Sequence, residues 1–306
     1  MVGAGAWGCA LAIQAHRAGR EVTLWARDPA HIAQRLHAPL PAEIEITTDL
    51  PGAGANAILL VVPVQHLRGV AARLRPRAPI VVCAKGIEAN TLALPLEILA
   101  ELHPATPAAI LSGPNFAHEI AAGLPAASVV AATDPALRTH LIGLLASPAF
   151  RLYGNDDPVG AGLGGAAKNV IAIAAGAVMG AGLGENARAA LITRGLAELG
   201  RLVAALGGRP ETVHGLSGLG DLLLTCTGGS SRNYRCGLAL GGGKSLEQAV
   251  AESAGVIEGV ATAPALVARA GGLDLPICSA VAALLAGRLT LEDAIVTLLT
   301  RPMRDE

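Results

Sequence analysis

Residues 163–173, LGGAAKNVIAI, set a lysine and an asparagine side by side in a segment otherwise made of small and apolar residues. The spacing predicts the start of a buried helix, where an ammonium group is costly unless something compensates it. Burial and nearby positive charge lower a lysine's pKa toward neutrality, the range of a general acid or base. Lys168 is thus a candidate for proton transfer, the plain alternative being that it points into solvent. The Gly and Ala residues around it are expected to leave clearance for cofactor and substrate. Asn169 has several readings: orienting the lysine, binding a ligand beside it, or satisfying backbone groups.

Three further stretches carry groups of the same kind. In VVCAKGIE, Lys85 follows an apolar strand, and ligands in doubly wound sheets bind beyond the carboxyl ends of the strands. A solvated turn lysine is the alternative there. In LSGPNFAHE a Gly-Pro turn brings Asn115 to a helix start, where it serves as a ligand contact or only as a cap. In GLSGLGDLLLTCTGGSSRNYRCG, Asp221 sits among glycines and leucines and needs a partner. Ser231, Arg232 and Asn233 then open a helix, where free amides and a guanidinium fork make a phosphate receptor. His66, His118 and His214 lie nearest this set, but none has a recognisable acid partner, and Lys168 is better placed as the base.

GAGAWG at the amino end supplies Gly3, Gly5 and Gly8 in a GxGxxG spacing, followed by a helix-like segment and then the strand of GREVTLWARD. In that context Gly3 permits a tight turn, Gly5 lets a pyrophosphate approach the backbone, and Gly8 lets helix and strand pack closely. The helix start offers amide donors and the positive end of its dipole to the phosphates. Only Met1 and Val2 precede Gly3, so the first strand is expected to be short. Beyond the second strand, Arg27 suits a 2′-phosphate and favours NADP, while Asp28 keeps NAD open.

The elements that must position these groups fall into two halves. Up to about Tyr153, short apolar strands (Met1–Val2, EVTLW, AILLVV, PIVVC, AAIL, ASVVAA, FRLY) alternate with helical segments, which predicts a parallel doubly wound sheet. A strand near IEITTDL is too faint to assign. From about Val159 the β signal stops and helix follows helix. In NARAALITRGLAELGRLV the apolar residues recur at helical intervals, with Arg188, Arg194, Glu198 and Arg201 mostly off that stripe. The expectation is an α/β Rossmann-like domain over residues 1–156 and an all-α substrate domain over 157–306, with a cleft between them.

Composition excludes several classes. Of 306 residues, 52% are hydrophobic and 15% charged, which argues against disorder. A net charge of −1 and 2% aromatics leave no basic, stacking surface for nucleic acid. The longest uncharged apolar run, residues 170–184, is short for a membrane span and no signal peptide is evident, so no integral membrane association is expected. Five scattered cysteines show no ligand spacing, so neither disulfides nor a metal site is expected, and a cytoplasmic location fits.

The ordered set GAGAWG, LWARDP, VVPVQHLR, AKGIE, SGPNFAHEIAAGLP, GGAAKNVIAIAAG, NARAALITRGLAE, GLSGLGDLLLTCT, SSRN and VIEGVATA resembles the NAD(P)-dependent glycerol-3-phosphate dehydrogenase family over nearly the whole chain. The resemblance implies interconversion of dihydroxyacetone phosphate and sn-glycerol 3-phosphate with NADP or NAD, supply of glycerol 3-phosphate for phospholipid synthesis, and a homodimer. It implies Lys168 as general acid/base and Lys85 as a contact to both substrate and cofactor. Gly113, Asn115, Asp221, Ser231, Arg232 and Asn233 match substrate positions. Gly3, Gly5, Ala6, Trp7, Gly8, Arg27, Ala117, Arg232, Val256 and Glu258 match cofactor positions. The chain departs from the family in Asn115, where Ser or Thr is usual, and in a segment between His31 and Thr48 that is shorter and lacks the family's aromatic stretch. Dehydrogenases of the 6-phosphogluconate or 3-hydroxyisobutyrate type also open their second domain with a lysine and an asparagine, but SSRN after GLGDLLLTCT argues against them. A non-catalytic dinucleotide sensor is the rival of another class, and retention of Lys85, Lys168, Asp221 and Arg232 together speaks against it.

Overall fold

A computed structural model describes residues 1–32, 38–50, 54–253 and 255–302; residues 33–37, inside the shortened segment, lie outside the described residues. The first half is a sheet built around Val2, which bridges in parallel to Trp25 on one side and Leu60 on the other. The first strand is thus as short as expected, a bridge at Val2 that joins the two parts of the sheet. Beside it lie β1 (Thr23–Trp25) and β2 (Glu45–Thr47), the strand too faint to assign beforehand. On the other side come β3 (Ile58–Leu60), β4 (Ile80–Val82), β5 (Ala108–Ser112), β6 (Ala126–Ala131) and β7 (Phe150–Asn155) in that spatial order.

β3, β4 and β5 pair in parallel, but β6 runs antiparallel to β5, and β7 follows β6 in parallel. The reversal follows from the connection. Between β5 and β6 lies only α4 (Ala117–Ala122), which ends at Gly123 in the left-handed region, φ 77°. So short a helix turns the chain back instead of carrying it across the sheet.

Both faces are covered, which is why β3 and β4 are buried at every position. One face packs on α1 (Ala6–Arg17), α4 and α5 (Pro135–Leu145), and the other on α2 (Val64–Ala71) and α3 (Pro95–Leu102).

The second half is helical throughout: α6 (Pro158–Gly180), α7 (Gly184–Ala205), α8 (Asp221–Thr227), α9 (Arg232–Gly241), α10 (Leu246–Ala251), α11 (Glu258–Arg269), α12 (Pro276–Leu285) and α13 (Leu291–Leu299). By length and composition α6 would cross a membrane, but 83% of its apolar window is buried within the protein. Asp157 caps it: Oδ1 accepts from the Gly160 amide at 2.8 Å, and Oδ2 from the Arg209 amide and the Thr212 hydroxyl at 2.8 and 2.7 Å. α6 and α9 touch backbone to backbone through glycine. A Cβ on Gly176 would lie 2.0 Å from the Tyr234 carbonyl oxygen, and one on Gly237 1.9 Å from that of Ile173.

The small residues ahead of Lys168 therefore clear space largely for the protein itself. A Cβ on Gly164 would meet the Ser217 carbonyl oxygen at 2.4 Å. The stripe on α7 also needs correction. Glu198 is 1% exposed, and its carboxylate accepts from the amides of Ile277 and Cys278 at 2.6 and 3.1 Å. It caps α12, whose N-cap residue Leu275 has no acceptor of its own.

Candidate active site

Lys168 points inward. It is 7% exposed, on the fully buried stretch of α6, and donates to Asp221 Oδ1 and to Thr225 Oγ1, the latter at 3.0 Å. Asp221 is 0% exposed and accepts from Lys85 Nζ on its other oxygen, Oδ2, at 2.5 Å. One carboxylate thus bridges two ammonium groups brought from the two halves of the chain. Lys85 also donates to the Gly113 carbonyl at 3.2 Å, tying the loop after β4 to the loop after β5.

Burial pushes the Lys168 ammonium down to about 8; Asp221 opposes that shift and Lys85 adds to it. The result is a lysine held near the pH at which it can both give and take a proton.

Local sequence explains the placement. Asp221 opens α8 directly after a π-helical turn over Leu216–Gly220, and Gly218 in that turn packs where a Cβ would lie 2.1 Å from the Val213 carbonyl oxygen. Thr225, one helical turn on, donates to the Asp221 carbonyl at 2.6 Å while accepting from Lys168. Thr225 was not among the candidates, although its i,i+4 spacing from Asp221 marks it in the sequence. Gly165 gives Lys85 its path, since a Cβ there would meet Lys85 Cγ at 3.2 Å and Ser112 Oγ at 3.4 Å.

A second group joins this one. Ser231 caps α9, accepting from the Tyr234 amide at 3.2 Å. Asn233 donates to Asn169 Oδ1 and accepts from the Gly259 amide, both at 2.9 Å. Asn169 is therefore fixed by Asn233 and leaves its own amide group for another acceptor. Arg232 is exposed and lies against Gly255, with Glu258 as its charged neighbour. Burial pushes the Glu258 carboxyl up to about 7, with Arg232 opposing. Asn115 donates to Ser128 Oγ at 2.5 Å, while its buried Oδ1 has no partner.

The dinucleotide features also fit. A Cβ on Gly3 (φ 116°) would lie 2.9 Å from the Val61 carbonyl oxygen, and one on Gly8 1.8 Å from that of Gly3, whereas Gly5 faces open space. Gly5, the N-cap residue of α1, provides no side-chain acceptor, so the first-turn amides beside Ala6 and Trp7 are free for a phosphate. Val61 and Val62 line the Gly3 turn, while Val64 Cγ1 and Thr262 Oγ1 each lie 2.9 Å from where a Gly86 Cβ would stand. The buried oxygen Glu258 Oε2 has no protein partner, as befits a group facing a ligand, whereas the unpartnered Thr262 Oγ1 is fully buried against Gly86. Arg27 is exposed beyond β1, Val256 is exposed, Ala117 begins α4, and Asp28 caps the short helical turn Pro29–His31 through the Ala30 amide. Asp28 is thus engaged in a local cap.

The three weighed histidines are all exposed, with His118 stacked on Phe116. Among the described residues no three His, Cys, Asp or Glu side chains gather as a metal set. A cavity of about 620 Å³ lined by Arg75, Arg77, His103 and Thr106 opens beside the residues leading into β4 and β5, away from these groups.

The chain matches the family descriptions "NAD-dependent glycerol-3-phosphate dehydrogenase N-terminus" over residues 1–138 and "NAD-dependent glycerol-3-phosphate dehydrogenase C-terminus" over 157–296. A glycerol-3-phosphate dehydrogenase (NAD(P)+) of Acidiphilium cryptum is 56% identical over 100% of this chain and 97% of its own length. That of Gluconobacter oxydans is 51% identical over 99% and 96%. A solved glycerol-3-phosphate dehydrogenase from Coxiella burnetii superposes with a TM-score of 0.93 at 38% identity, covering 98% of each chain. With relatives this similar over its whole length, the chain belongs to the NAD-dependent glycerol-3-phosphate dehydrogenase family.

Proposed function

We propose that this chain interconverts dihydroxyacetone phosphate and sn-glycerol 3-phosphate, with Lys168 as the general acid/base. The observation that carries the assignment is the bridge of Asp221 between Lys85 and Lys168, which keeps a buried lysine, its pKa lowered by burial, between the two halves of the chain. Gly3–Gly8, Arg27 and Glu258 would hold NAD(P), which would supply or accept the hydride when bound.

In reduction the Lys168 ammonium donates a proton to the carbonyl oxygen as it becomes an alkoxide, and its charge stabilises that oxygen in a site excluded from water. In oxidation the neutral amine removes the proton from the secondary hydroxyl. Lys85 and the Asn169 amide hold the substrate oxygens. Arg232 and the amides at the start of α9 hold the phosphate, which fixes the carbon to be reduced. Asn115 contributes its unpaired Oδ1 to a substrate hydroxyl.

Division of labour at residues 156/157, two copies per assembly, a preference for NADP through Arg27, and supply of glycerol 3-phosphate to phospholipid synthesis complete the reading. Five buried free cysteines suit a reducing cytoplasm.

The decisive assay follows dihydroxyacetone phosphate reduction with NADH and NADPH in parallel, for the wild type and Lys168→Ala. A folded alanine variant should lose a factor of about 10²–10⁴ in kcat. Near-normal turnover would remove Lys168 from the mechanism.

A further inference from the structure

Leu92 is the one non-glycine residue among those described whose backbone is left-handed, φ 60°. A leucine adopts that conformation only where its surroundings impose it, and such residues gather at functional sites. Leu92 lies on the segment that leaves Lys85 and runs to α3, and this segment is fastened at three points.

At its start, the Gln65 side chain on α2 donates to the Ile87 carbonyl at 2.8 Å and accepts from the Ala89 amide at 3.0 Å. In its middle, buried Glu88 takes Arg68 Nε on both carboxylate oxygens, at 3.1 and 2.9 Å, and also accepts from the Thr91 hydroxyl. The turn closes through Leu92 N to Glu88 O and Glu88 N to Ala93 O, at 2.9 and 3.0 Å.

The third fastening comes from the helical half. Arg269, at the far end of α11, donates through Nη1 to the Leu92 carbonyl at 3.1 Å and through Nη2 to Glu97 Oε1 at 2.5 Å. The other oxygen of Glu97 accepts from the Leu94 amide at 2.7 Å. The opposite end of the same helix sets Thr262 against Gly86, next to Lys85. One helix therefore grips the Lys85 segment at both ends.

We infer that Arg269 is a positioning residue: by holding the left-handed Leu92 turn to α11, it fixes where Lys85 stands relative to Asp221 and the substrate. This rests on the proposed reading of Lys85 as a substrate contact. The fork of a guanidinium suits the task, because it satisfies a carbonyl and a carboxylate at once. Without it, the Leu92 carbonyl loses its hydrogen bond from α11, and the turn is freer to relax toward ordinary backbone angles.

The test uses Arg269→Ala and Leu92→Gly, singly and together. Glycine accepts φ 60° without restraint, so it should make the latch partly dispensable. Hydrogen exchange over residues 86–94 reads the latch without reference to activity: Arg269→Ala should speed it about tenfold, and the double variant should recover at least a third of the lost protection. In the reductase assay, Arg269→Ala should lower kcat/KM for dihydroxyacetone phosphate about tenfold while KM for the reduced dinucleotide stays within about twofold, and adding Leu92→Gly should restore about threefold. Should the alanine variant not fold, Arg269→Gln keeps one donor for the Leu92 carbonyl and should lose about threefold. Exchange unchanged in Arg269→Ala overturns the latch. Faster exchange with unchanged kcat/KM, or equal losses in the single and double variants, overturns the positioning role. A wild type that exchanges as expected but never reduces dihydroxyacetone phosphate rejects the functional reading and leaves the latch standing.

Discussion

Asp221 and Glu198 are both excluded from water, at 0% and 1% exposure, and both project from helices of the second half. Their partners differ in kind. Glu198 spends its two oxygens on two amides at the start of α12, fixed donors that never leave, and burial still raises its pKa. Asp221 spends its two oxygens on two ammonium groups, each at the end of a long, jointed side chain, and burial lowers the pKa of one of them, Lys168. The desolvation problem is the same, but one solution holds two helices together and the other keeps two protons near a ligand. A buried carboxylate alone does not mark an active site; one compensated by side-chain cations, one of them with a lowered pKa, is the stronger candidate.

The contrast breaks first at Asp221. Asp221→Asn keeps the shape but removes the charge that favours the Lys168 ammonium, so kcat/KM for dihydroxyacetone phosphate should fall about 10³-fold. The pH at which the reaction loses its acid should move below the wild-type value. Retention of more than a tenth of the wild-type rate would place the proton-transfer group elsewhere.

Glu198→Ala should do the reverse. Two buried amides lose their acceptor, which costs about 2–4 kcal/mol of unfolding free energy, read from the denaturant midpoint. The kcat/KM of the folded fraction should stay within about twofold. A large catalytic loss with unchanged stability would put Glu198 in the wrong class.

The sequence made much of this legible, for physical reasons. Lys168, Asp221 and Lys85 stand out because each is a charge in apolar or glycine-rich surroundings, and such a charge must be paired. GAGAWG stands out because backbone approach demands glycine at fixed spacing. Glu198 was misplaced because periodicity reports the average face of a helix, and a carboxylate capping another helix sits on the buried face for a reason held elsewhere in the chain. The reversed β6 was hidden too, since an apolar strand reads alike in both directions. Leu92 and Arg269, separated by 177 positions, have no local signature that joins them.

The titration of Lys168 sharpens the comparison further. Reduction needs the ammonium and oxidation the amine, so kcat/KM for dihydroxyacetone phosphate should fall about tenfold per unit above pH 8, while that for glycerol 3-phosphate should rise to a plateau there. Stability follows the same proton. Because Lys168 in the fold titrates near 8, below the ordinary 10.5, the unfolded chain holds the extra proton between those values. The cost of burying the ammonium is therefore full below pH 8 and is relieved as the pH rises toward 10.5. Lys168→Met should flatten that part of the stability profile in denaturant titrations; an unchanged slope would mean that Lys168 does not carry it.

The smallest effect belongs to Thr225, which stands between the two kinds of compensation. Its hydroxyl donates to the Asp221 carbonyl, a fixed partner, and accepts from Lys168, a titrating one. Valine keeps the β-branched shape and removes both bonds. The helix needs little from the hydroxyl, since α8 forms its own backbone bonds, so the midpoint of unfolding should move by no more than about 1 kcal/mol. Lys168 loses one acceptor that favours its charged form, and its pKa should fall slightly. The acid limb of the reduction profile should then shift down by a few tenths of a pH unit, with kcat reduced about two- to fivefold. If Thr225→Val changes stability alone and leaves the pH profile in place, Thr225 belongs with Glu198 as a structural partner and the proton-holding group is Asp221 with its two lysines.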